Sequence, residues 1–389
     1  MRGHIRQRSK GSWEVTIDVP STGKRRRSFV TVHGTKKDAQ RRLAELLVSI
    51  DNGSYVKPKH LTVGEWLGQW LQGYVATNTA PRTRERYEEI VQLHLIPALG
   101  LVRLSALQPE HIQKYYADAL ESGRRDGKGG LSARTVHHHH RVLYEALRHA
   151  VKHGIIGRNP GEAVDTPRPR NREITMIGPS DVLRLLDAAK GTPYYPVLFT
   201  ALYTGLRRGE LLGLRWCDLD LDLATLSVVQ TLQQLHNGQY VFREPKSRRG
   251  RRQIALSPSL AILLRQHRAK QEDSGKMLGK TLGPADLVFS HPDGTPLRPD
   301  SVSRAFRTIA RAVGLHGVRL HDLRHAHASL MLRQGVHPKI VSERLGHSGI
   351  AITIDTYSHV LPGLQEAAAR RFEEGLQDVS VDVSPTGIG

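Results

Sequence analysis

The sequence predicts a multidomain α+β protein with three folded units. Residues 1–57 first alternate apolar and polar side chains, as strands do, and then place apolar side chains at helical spacing. This pattern predicts a small β-sheet/helix N-terminal domain. Residues 62–157 repeat apolar side chains at helical spacing and predict a helical bundle. Residues 174–377 combine helical patterns with three short strand patterns, which predict a mainly α domain with a small antiparallel sheet.

In the N-terminal unit, residues 13–19 alternate like a strand, residues 20–23 form a turn, and residues 25–32 form a second strand. Thr35 can cap a helix that runs to about Ile50. Four consecutive basic residues open the second strand: Lys24, Arg25, Arg26 and Arg27. A basic strand of this kind can enter a DNA groove. Taken alone, these residues also fit a solvated strand face.

The middle unit shows four helical segments, which begin near Thr62, Arg82, Pro109 and Ser132. The second should run to about Leu95 and end at Pro97. The fourth contains the run 137–140, four histidines in a row. Successive positions of a helix point in different directions, so four such residues do not form one metal site. We predict polar helix positions, some of which face DNA phosphate.

Residues 158–173 are rich in proline and arginine and predict an extended linker, because proline resists helix formation. The remaining unit should contain helices at 180–189, 194–203, 210–214, 259–271, 301–313, 321–334 and 338–345, and strands at 225–229, 240–242 and 253–256. Residues 378–389 lack periodicity and predict a mobile tail.

The 389 residues include 57 Lys and Arg against 37 Asp and Glu, a formal net charge of +20. This excess favours a polyanionic partner, because each neutralised phosphate releases condensed counterions. No stretch reaches the roughly 18 apolar residues of a membrane helix, and the basic start of the chain lacks the apolar run of a secretory signal. Cys217 is the sole cysteine, so no disulfide can form within the chain, as suits a reducing cytosol.

Several segments of the last unit carry side chains suited to phosphate chemistry. The first is Thr204-Gly205-Leu206-Arg207, with Glu210 three residues on. The glycine lets the chain turn and brings Arg207 to a helix N-terminus, which favours anions. Glu210 then lies beside Arg207 on the helix and can orient its guanidinium. By itself, such a pair is usually a surface ion pair.

Lys246 lies in a basic stretch, residues 244–252, between the strands that end at Phe242 and begin at Gln253. We predict a hairpin here, from which the lysine can reach into a groove and donate a proton to a leaving oxygen. Considered alone, the stretch is better explained as a solvated basic turn.

His321 and Arg324 are three residues apart, so they share one helix face and predict an anion site. Zinc is the alternative, because His321 and His325 have the spacing of a zincin pair. The glutamate of His-Glu-x-x-His is absent, however, and the sequence offers no clear third ligand, so the metal interpretation is weaker.

His347 follows a helix that ends at Leu345-Gly346, and Tyr357 comes ten residues later. An isolated tyrosine is more often a core or surface residue. Its place after the arginine, lysine and histidine elements instead favours in-line attack by the tyrosine oxygen on a phosphodiester.

In this order and context the elements resemble the tyrosine recombinases of the phage-integrase family across residues 174–377. The matching residues are Arg207, Lys246, His321, Arg324, His347 and Tyr357, with Glu210 behind the first. Residues 62–157 resemble the family's helical core-binding domain, and residues 1–57 resemble the arm-type DNA-binding domain of its larger integrases. Ala326 stands where the family often has Thr or Ser, which we expect to affect packing more than chemistry.

The resemblance implies a site-specific recombinase, the integrase of a phage or other mobile element, that cuts and rejoins DNA through a 3′-phosphotyrosyl intermediate. Tyr357 would attack the phosphate, and Arg207, Arg324 and His347 would hold its oxygens. No metal or other cofactor is implied, because the arginines supply positive charge.

The resemblance also implies that Lys246 protonates the leaving 5′-oxygen and that His321 acts near the tyrosine proton as base or orienter, while Glu210 supports Arg207. The implied partners are double-stranded DNA with core and arm sequences, a homotetramer on that DNA, a DNA-bending accessory protein and an excisionase. Residues 363–376 are a candidate helix for contacting a neighbouring subunit. The expected location is the cytoplasm, at the nucleoid when DNA is bound.

Two alternatives remain open from the sequence. A type IB topoisomerase shares this chemistry, but the arm-type domain argues against it. A non-catalytic DNA-binding regulator would need none of the six matching residues, and their presence together argues against loss of activity.

Overall fold

The computed structural model describes residues 3–19, 26–51, 60–169, 177–245 and 247–357, together with 369, 370, 372–374 and 376. The chain divides into two units, Met1–Arg172 and Glu173–Gly389, each described here by itself. The mixed α+β class predicted from the sequence is confirmed. The predicted tail at 378–389 and most of the candidate helix at 363–376 lie outside the described residues.

The N-terminal domain is a three-stranded antiparallel sheet with one helix. Its elements are β1 (Gly3–Ser9), β2 (Ser12–Val19), β3 (Arg26–His33) and α1 (Lys36–Asp51), with β2 in the centre. Val15 and Ile17 of β2 are fully buried together with Ala39 of α1. The sequence pattern does not predict β1, because Ile5 is its one large apolar side chain and the rest of this edge strand is polar.

The rest of the first unit is a helical bundle. Its helices are α2 (Val63–Trp70), α3 (Ala76–Asn78), α4 (Pro81–Ile90), α5 (Ile96–Leu99), α6 (Pro109–Ser122) and α7 (Ala133–Lys152). Thr62 and Ser132 cap α2 and α7 as predicted, each by accepting a hydrogen bond from a backbone amide of the first turn. The indole of Trp66 donates to the carbonyl of Ala146 at 2.9 Å, which ties α2 to α7 through the buried core.

The second predicted helix continues past Pro97, so the predicted stop there was wrong. A wide π-helical turn, Val91–Leu95, joins α4 to α5, and in it the amide of Ile96 donates to the carbonyl of Val91. Proline has no amide hydrogen for the usual bond four residues back. The wide turn just before Pro97 fits this missing donor, and the helix runs on to Leu99.

The four histidines of α7 do not share one environment. The hydroxyl of Tyr115 is 2.7 Å from Nδ1 of His139, and the hydroxyl of Tyr116 is 2.7 Å from Nδ1 of His140. His139 is buried, and of the four only His138 is exposed. Two of these rings therefore join α6 to α7, and the expectation that some of the four face DNA phosphate stays a prediction.

The second unit is mainly helical. Its helices are α8 (Pro179–Ala189), α9 (Tyr195–Thr204), α10 (Arg208–Leu212), α11 (Pro258–Met277), α12 (Pro299–Ala312), α13 (Asp322–Arg333), α14 (Pro338–Leu345) and α15 (Ile350–Tyr357). One core joins most of these helices to the sheet, with Leu198, Phe306 and Leu323 fully buried in it. The sequence pattern missed α15, which carries the candidate nucleophile at its last residue.

The strands of this unit pair differently from the prediction. They are β4 (Leu219–Asp220), β5 (Thr225–Val228), β6 (Thr231–Gln234), β7 (Tyr240–Arg243) and β8 (Arg252–Ala255). One antiparallel sheet has the order β4-β5-β8, and β6 and β7 form a separate hairpin. The stretch between β7 and β8 thus connects two sheets, so the predicted hairpin around Lys246 was wrong. No described helix is long and apolar enough to cross a membrane.

The buried Tyr115–His139 pair predicts acid sensitivity of the helical bundle. Burial lowers the pKa of His139 to about 3, whereas an unfolded chain binds the proton near pH 6.5. The unfolded state therefore gains protons first, and stability should fall by about 1.4 kcal/mol per pH unit as the pH drops from about 6.5 toward 3. Amide-exchange protection of α7, corrected for intrinsic rates, should fall accordingly between pH 7 and pH 5.

His139→Asn tests the assignment, because the amide keeps a hydrogen-bonding group near Nδ1 but cannot titrate. We expect the variant to lose less protection at pH 5 than the wild type, and His153→Asn, at an exposed position, to behave as the wild type does. An equal acid loss in His139→Asn and the wild type would contradict the prediction.

Candidate active site

The turn between α9 and α10 brings Arg207 to the start of α10. Gly205 ends α9 with φ 66°, a left-handed conformation that favours glycine. A Cβ atom there would lie 2.7 Å from Leu345 and 2.8 Å from the ring of His327. Both the backbone and the available space therefore require glycine, and Arg207 follows as the N-cap of α10.

Glu210 binds two arginines at once. Its carboxylate accepts from Nη1 of Arg207 at 2.7 Å and from Nη2 of Arg252, on β8, at 2.8 Å. The Glu210 and Arg252 side chains are only 3% and 6% exposed. Burial favours a higher pKa for Glu210, but the hydrogen bond from Arg252 and the charges of both arginines outweigh it and lower the pKa. Glu210 is thus hydrogen-bonded to Arg207, and its role as support for a catalytic Arg207 stays a prediction.

Arg324 is a buried arginine on α13. Nη1 donates to the carbonyl of Gly205 at 2.7 Å, and Nη2 donates to the carbonyl of Leu345 at 2.7 Å. Burial, followed by the charge of Arg207, lowers the pKa of Arg324 to about 9. The guanidinium therefore stays charged at neutral pH.

The C-terminus of α14 receives both candidate phosphate ligands. Arg324 binds the carbonyl of Leu345, and Nη2 of Arg207 binds the next carbonyl, that of Gly346, at 3.1 Å. The last carbonyls of a helix lack partners within the helix and form the negative end of its dipole, so they favour cations. Two guanidiniums on successive carbonyls must lie close together. Gly346 again has a left-handed backbone, with φ 66°.

His347 comes directly after this helix end. Its Nδ1 is 2.7 Å from the hydroxyl of Thr353 on α15, a fully buried residue. Burial, then the charges of Arg324 and Arg207, lowers the pKa of His347 to about 4. The ring is therefore neutral at pH 7. Nδ1 is engaged by Thr353, and Nε2 has no hydrogen-bond partner among the described residues.

Tyr357 ends α15 and is 1% exposed. Its ring belongs to a small apolar cluster that includes Leu332 and Leu345, the residue whose carbonyl binds Arg324. Its hydroxyl is 2.7 Å from Nδ1 of His325. Burial raises the pKa of Tyr357 to about 12, although the charge of Arg324 opposes this rise.

His321, the residue expected near the tyrosine proton, is exposed at the N-cap of α13. Its ring contacts the ring of His325 edge to face, with 5.1 Å between the centroids. His327 binds Nε of Arg344 at 3.1 Å. In the described part of the chain no three His, Cys, Asp or Glu residues are grouped as metal ligands.

The remaining predicted site residues are only partly described. Lys246, Lys24 and Arg25 lie outside the described residues, and Arg26 is described only as the first position of β3. Arg27 is an exposed residue of β3, with Nε 3.7 Å from Asp18. The neighbours of Lys246, residues 245 and 247, line a cavity of about 420 Å³ together with Arg207 and Gly346.

The sequence patterns missed three residues that contact the site: Arg252, His325 as a partner of the tyrosine, and Thr353. Arg252 had one usable signal, since it is two residues before the buried Ile254 on β8 and so shares its inward face. Nothing in the sequence distinguishes His325 from His321 and His327, or Thr353 from Thr356.

Two models of protein families match the chain. The phage integrase family matches residues 176–363, and the phage integrase N-terminal SAM-like domain matches residues 62–120. Among curated relatives, a tyrosine recombinase XerC-like protein of Caldanaerobacter subterraneus subsp. tengcongensis is 29% identical over 346 residues, which cover 84% of this chain and 87% of the relative.

Solved structures share the fold. The Tn1549 transposon integrase in complex with a circular intermediate DNA has a TM-score of 0.68 at 21% identity, covering 80% of this chain and 99% of that one. The lambda integrase, solved as a tetramer bound to a Holliday junction, has a TM-score of 0.56 at 19% identity, covering 92% of this chain and 94% of that one. The two family matches, together with the curated relatives, show that the chain belongs to the phage integrase family and is a site-specific tyrosine recombinase.

Proposed function

We propose that Tyr357 is the nucleophile of this recombinase and that Arg207 and Arg324 bind the scissile phosphate. The observation that carries the proposal is the end of α14, where successive carbonyls hold the two guanidiniums while the Leu345 side chain packs in one cluster with the tyrosine ring. Guanidinium groups match phosphate oxygens in pairs and stay charged. Cations and nucleophile therefore share one rigid support.

In the cleavage step, Oη of Tyr357 forms a bond to phosphorus and the bond from phosphorus to the 5′-oxygen breaks. The tyrosine proton passes to solvent water, and the leaving 5′-oxygen gains a proton from an ammonium donor. Arg207 and Arg324 stabilise the charge that develops on the non-bridging oxygens. His347, neutral and engaged by Thr353 at Nδ1, donates a hydrogen bond from Nε2 to the same phosphate. Lys246 is our proposed proton donor to the 5′-oxygen, by resemblance to the family.

In the 3′-phosphotyrosyl link the phosphate is still a diester, with the tyrosine oxygen in place of the 5′-oxygen. A 5′-hydroxyl of a partner strand can therefore attack it and release Tyr357 without ATP. The proposed substrate is double-stranded DNA carrying a core site. Because the lambda relative is a tetramer on a Holliday junction, we propose that four copies of this chain act together at exchange, in the cytoplasm where the DNA lies.

The N-terminal domain is proposed to hold a second, arm-type DNA site. Its support is the basic run 24–27, of which Arg27 is exposed at the start of β3. Two linked DNA-binding modules raise the effective concentration of the second site. We propose a mobile-element integrase on this basis, with a DNA-bending protein and an excisionase as its expected partners.

Tyr357→Phe tests the nucleophile. The change removes one oxygen from a buried ring, so the fold and DNA binding should persist while covalent cleavage is lost. The substrate is a nicked duplex carrying the attachment core of the element that encodes the chain, which traps the adduct. Denaturing electrophoresis should show a protein–DNA adduct for the wild type and none for the variant. A persistent adduct would refute the assignment of Tyr357.

Chelation tests the expectation that no metal takes part. Arg207, Arg324 and the proposed Lys246 carry the positive charge that a divalent ion carries in other phosphoryl-transfer enzymes. Dialysis against EDTA should therefore leave the rate of adduct formation unchanged. Abolition by EDTA and recovery with Mg²⁺ or Zn²⁺ would revive the metal interpretation of His321 and His325.

Glu210→Gln tests the ion-pair support of the phosphate site. The variant keeps the shape of the side chain but leaves two arginines without their carboxylate. Removing one partner of a buried ion pair costs about 3 kcal/mol or more. We expect a lower melting temperature and a slower cleavage rate. Glu272→Gln is the matched control, because this glutamate forms an exposed pair with Arg268 worth less than about 1 kcal/mol. Equal effects of the two changes would argue against the role of Glu210.

A further inference from the structure

We propose that His325 is the residue that orients the nucleophile, by accepting at Nδ1 the hydrogen bond of the Tyr357 hydroxyl. The inference rests on the proposed role of Tyr357. Within the described residues, the one hydrogen bond of this hydroxyl is to His325, at 2.7 Å. His321 contacts the ring of His325 instead and stands a full helical turn before it.

Packing alone does not set the direction of the hydroxyl. The tyrosine ring is buried against α13 and α14, among Ala328, Leu332, Val341 and Leu345. A phenol in a fixed ring position can still turn its O–H bond to either side of the ring. A hydrogen bond to His325 selects one side, so the hydrogen points at the imidazole and the oxygen lone pairs point elsewhere.

The position of His325 couples nucleophile and phosphate. It directly follows Arg324, which is fixed by the carbonyls of Gly205 and Leu345. One helix, α13, therefore presents both the phosphate ligand and the partner of the attacking oxygen. Misplacement of a reacting group by about 1 Å can slow a reaction about a hundredfold, so a short link of this kind matters for the rate.

The protonation state of His325 is compatible with this role. Burial is the main cause that lowers the pKa of the ring, and Arg324 and Arg319 lower it further, whereas Asp322 raises it. The neutral ring can accept at Nδ1 and carry its hydrogen on Nε2. In the attack the tyrosine proton passes to solvent water as the bond to phosphorus forms, and we assign to His325 only the orientation of the hydroxyl before that step.

The test compares His325→Ala with His325→Asn in the full-length protein on the nicked attachment-core duplex. The asparagine amide lies near the position of Nδ1, and its oxygen can accept the hydrogen bond of the tyrosine hydroxyl. It cannot take up a proton as imidazole can. We expect unchanged DNA binding in both variants. Single-turnover adduct formation should fall about a hundredfold in His325→Ala and recover to within about tenfold of the wild type in His325→Asn.

His316→Ala is the matched control, because His316 is an exposed histidine of the same unit, and it should cleave at the wild-type rate. Wild-type cleavage by His325→Ala would overturn the proposal. So would a folded His325→Asn, with an unchanged melting temperature, that is as slow as His325→Ala, since the imidazole would then be needed as a proton acceptor. Should His325→Ala fail to fold, the asparagine variant decides alone.

Tyr357→Phe is run beside these variants. An adduct formed by Tyr357→Phe would refute the proposed function itself, whatever the histidine variants do. Loss of the adduct in Tyr357→Phe together with full activity of His325→Ala would refute only the role of His325.

Discussion

The site depends on two backbone carbonyls at the end of one helix. The carbonyls of Leu345 and Gly346 accept hydrogen bonds from Arg324 and Arg207, and the dipole of α14 makes this end negative. The negative end of the helix offsets the repulsion between the two guanidiniums. The left-handed backbone of Gly346 directs the chain away from the helix and starts His347 beside them. Distant parts of the chain, α10 and α13, thus converge on a single helix end.

A single buried carboxylate forms ion pairs with two arginines in this site. Glu210 binds Arg207 and Arg252, while Arg324 is held by carbonyls alone among its described partners. Partial negative charge on carbonyls orients an arginine without cancelling its full charge, so the site keeps a strong positive potential. That potential, together with burial, also holds the pKa of His347 low. A neutral histidine near charged arginines can donate a hydrogen bond without adding a further positive charge.

Much of this arrangement could be predicted from the sequence. Arg207, Arg324 and His347 stand beside helix ends, glycine turns or helical repeats that the sequence itself shows. Tyr357 is marked only by its order after these elements, because the pattern missed α15. Arg252 shares a strand face with the buried Ile254, which is a weak signal in the sequence, but the pairing of β8 with β5 is needed to show that it meets Glu210. His325 could not be separated from its neighbours, because the docking of α15 decides which histidine meets the tyrosine. The hairpin predicted around Lys246 failed for a similar reason. β7 pairs with β6, a strand whose polar sequence shows little alternation.

The binding of two arginines by backbone carbonyls has a consequence for the stability of the protein. Buried cations without full counter-charges lower the stability of the folded state, and a phosphate bound as proposed would supply the missing charge. A ligand that binds only the folded chain stabilises it by mass action. Under the proposed function, DNA would stabilise the second unit as well as being its substrate. We therefore expect a copy that has left its DNA site to unfold more easily than a bound copy, and so to be the better substrate for proteolysis.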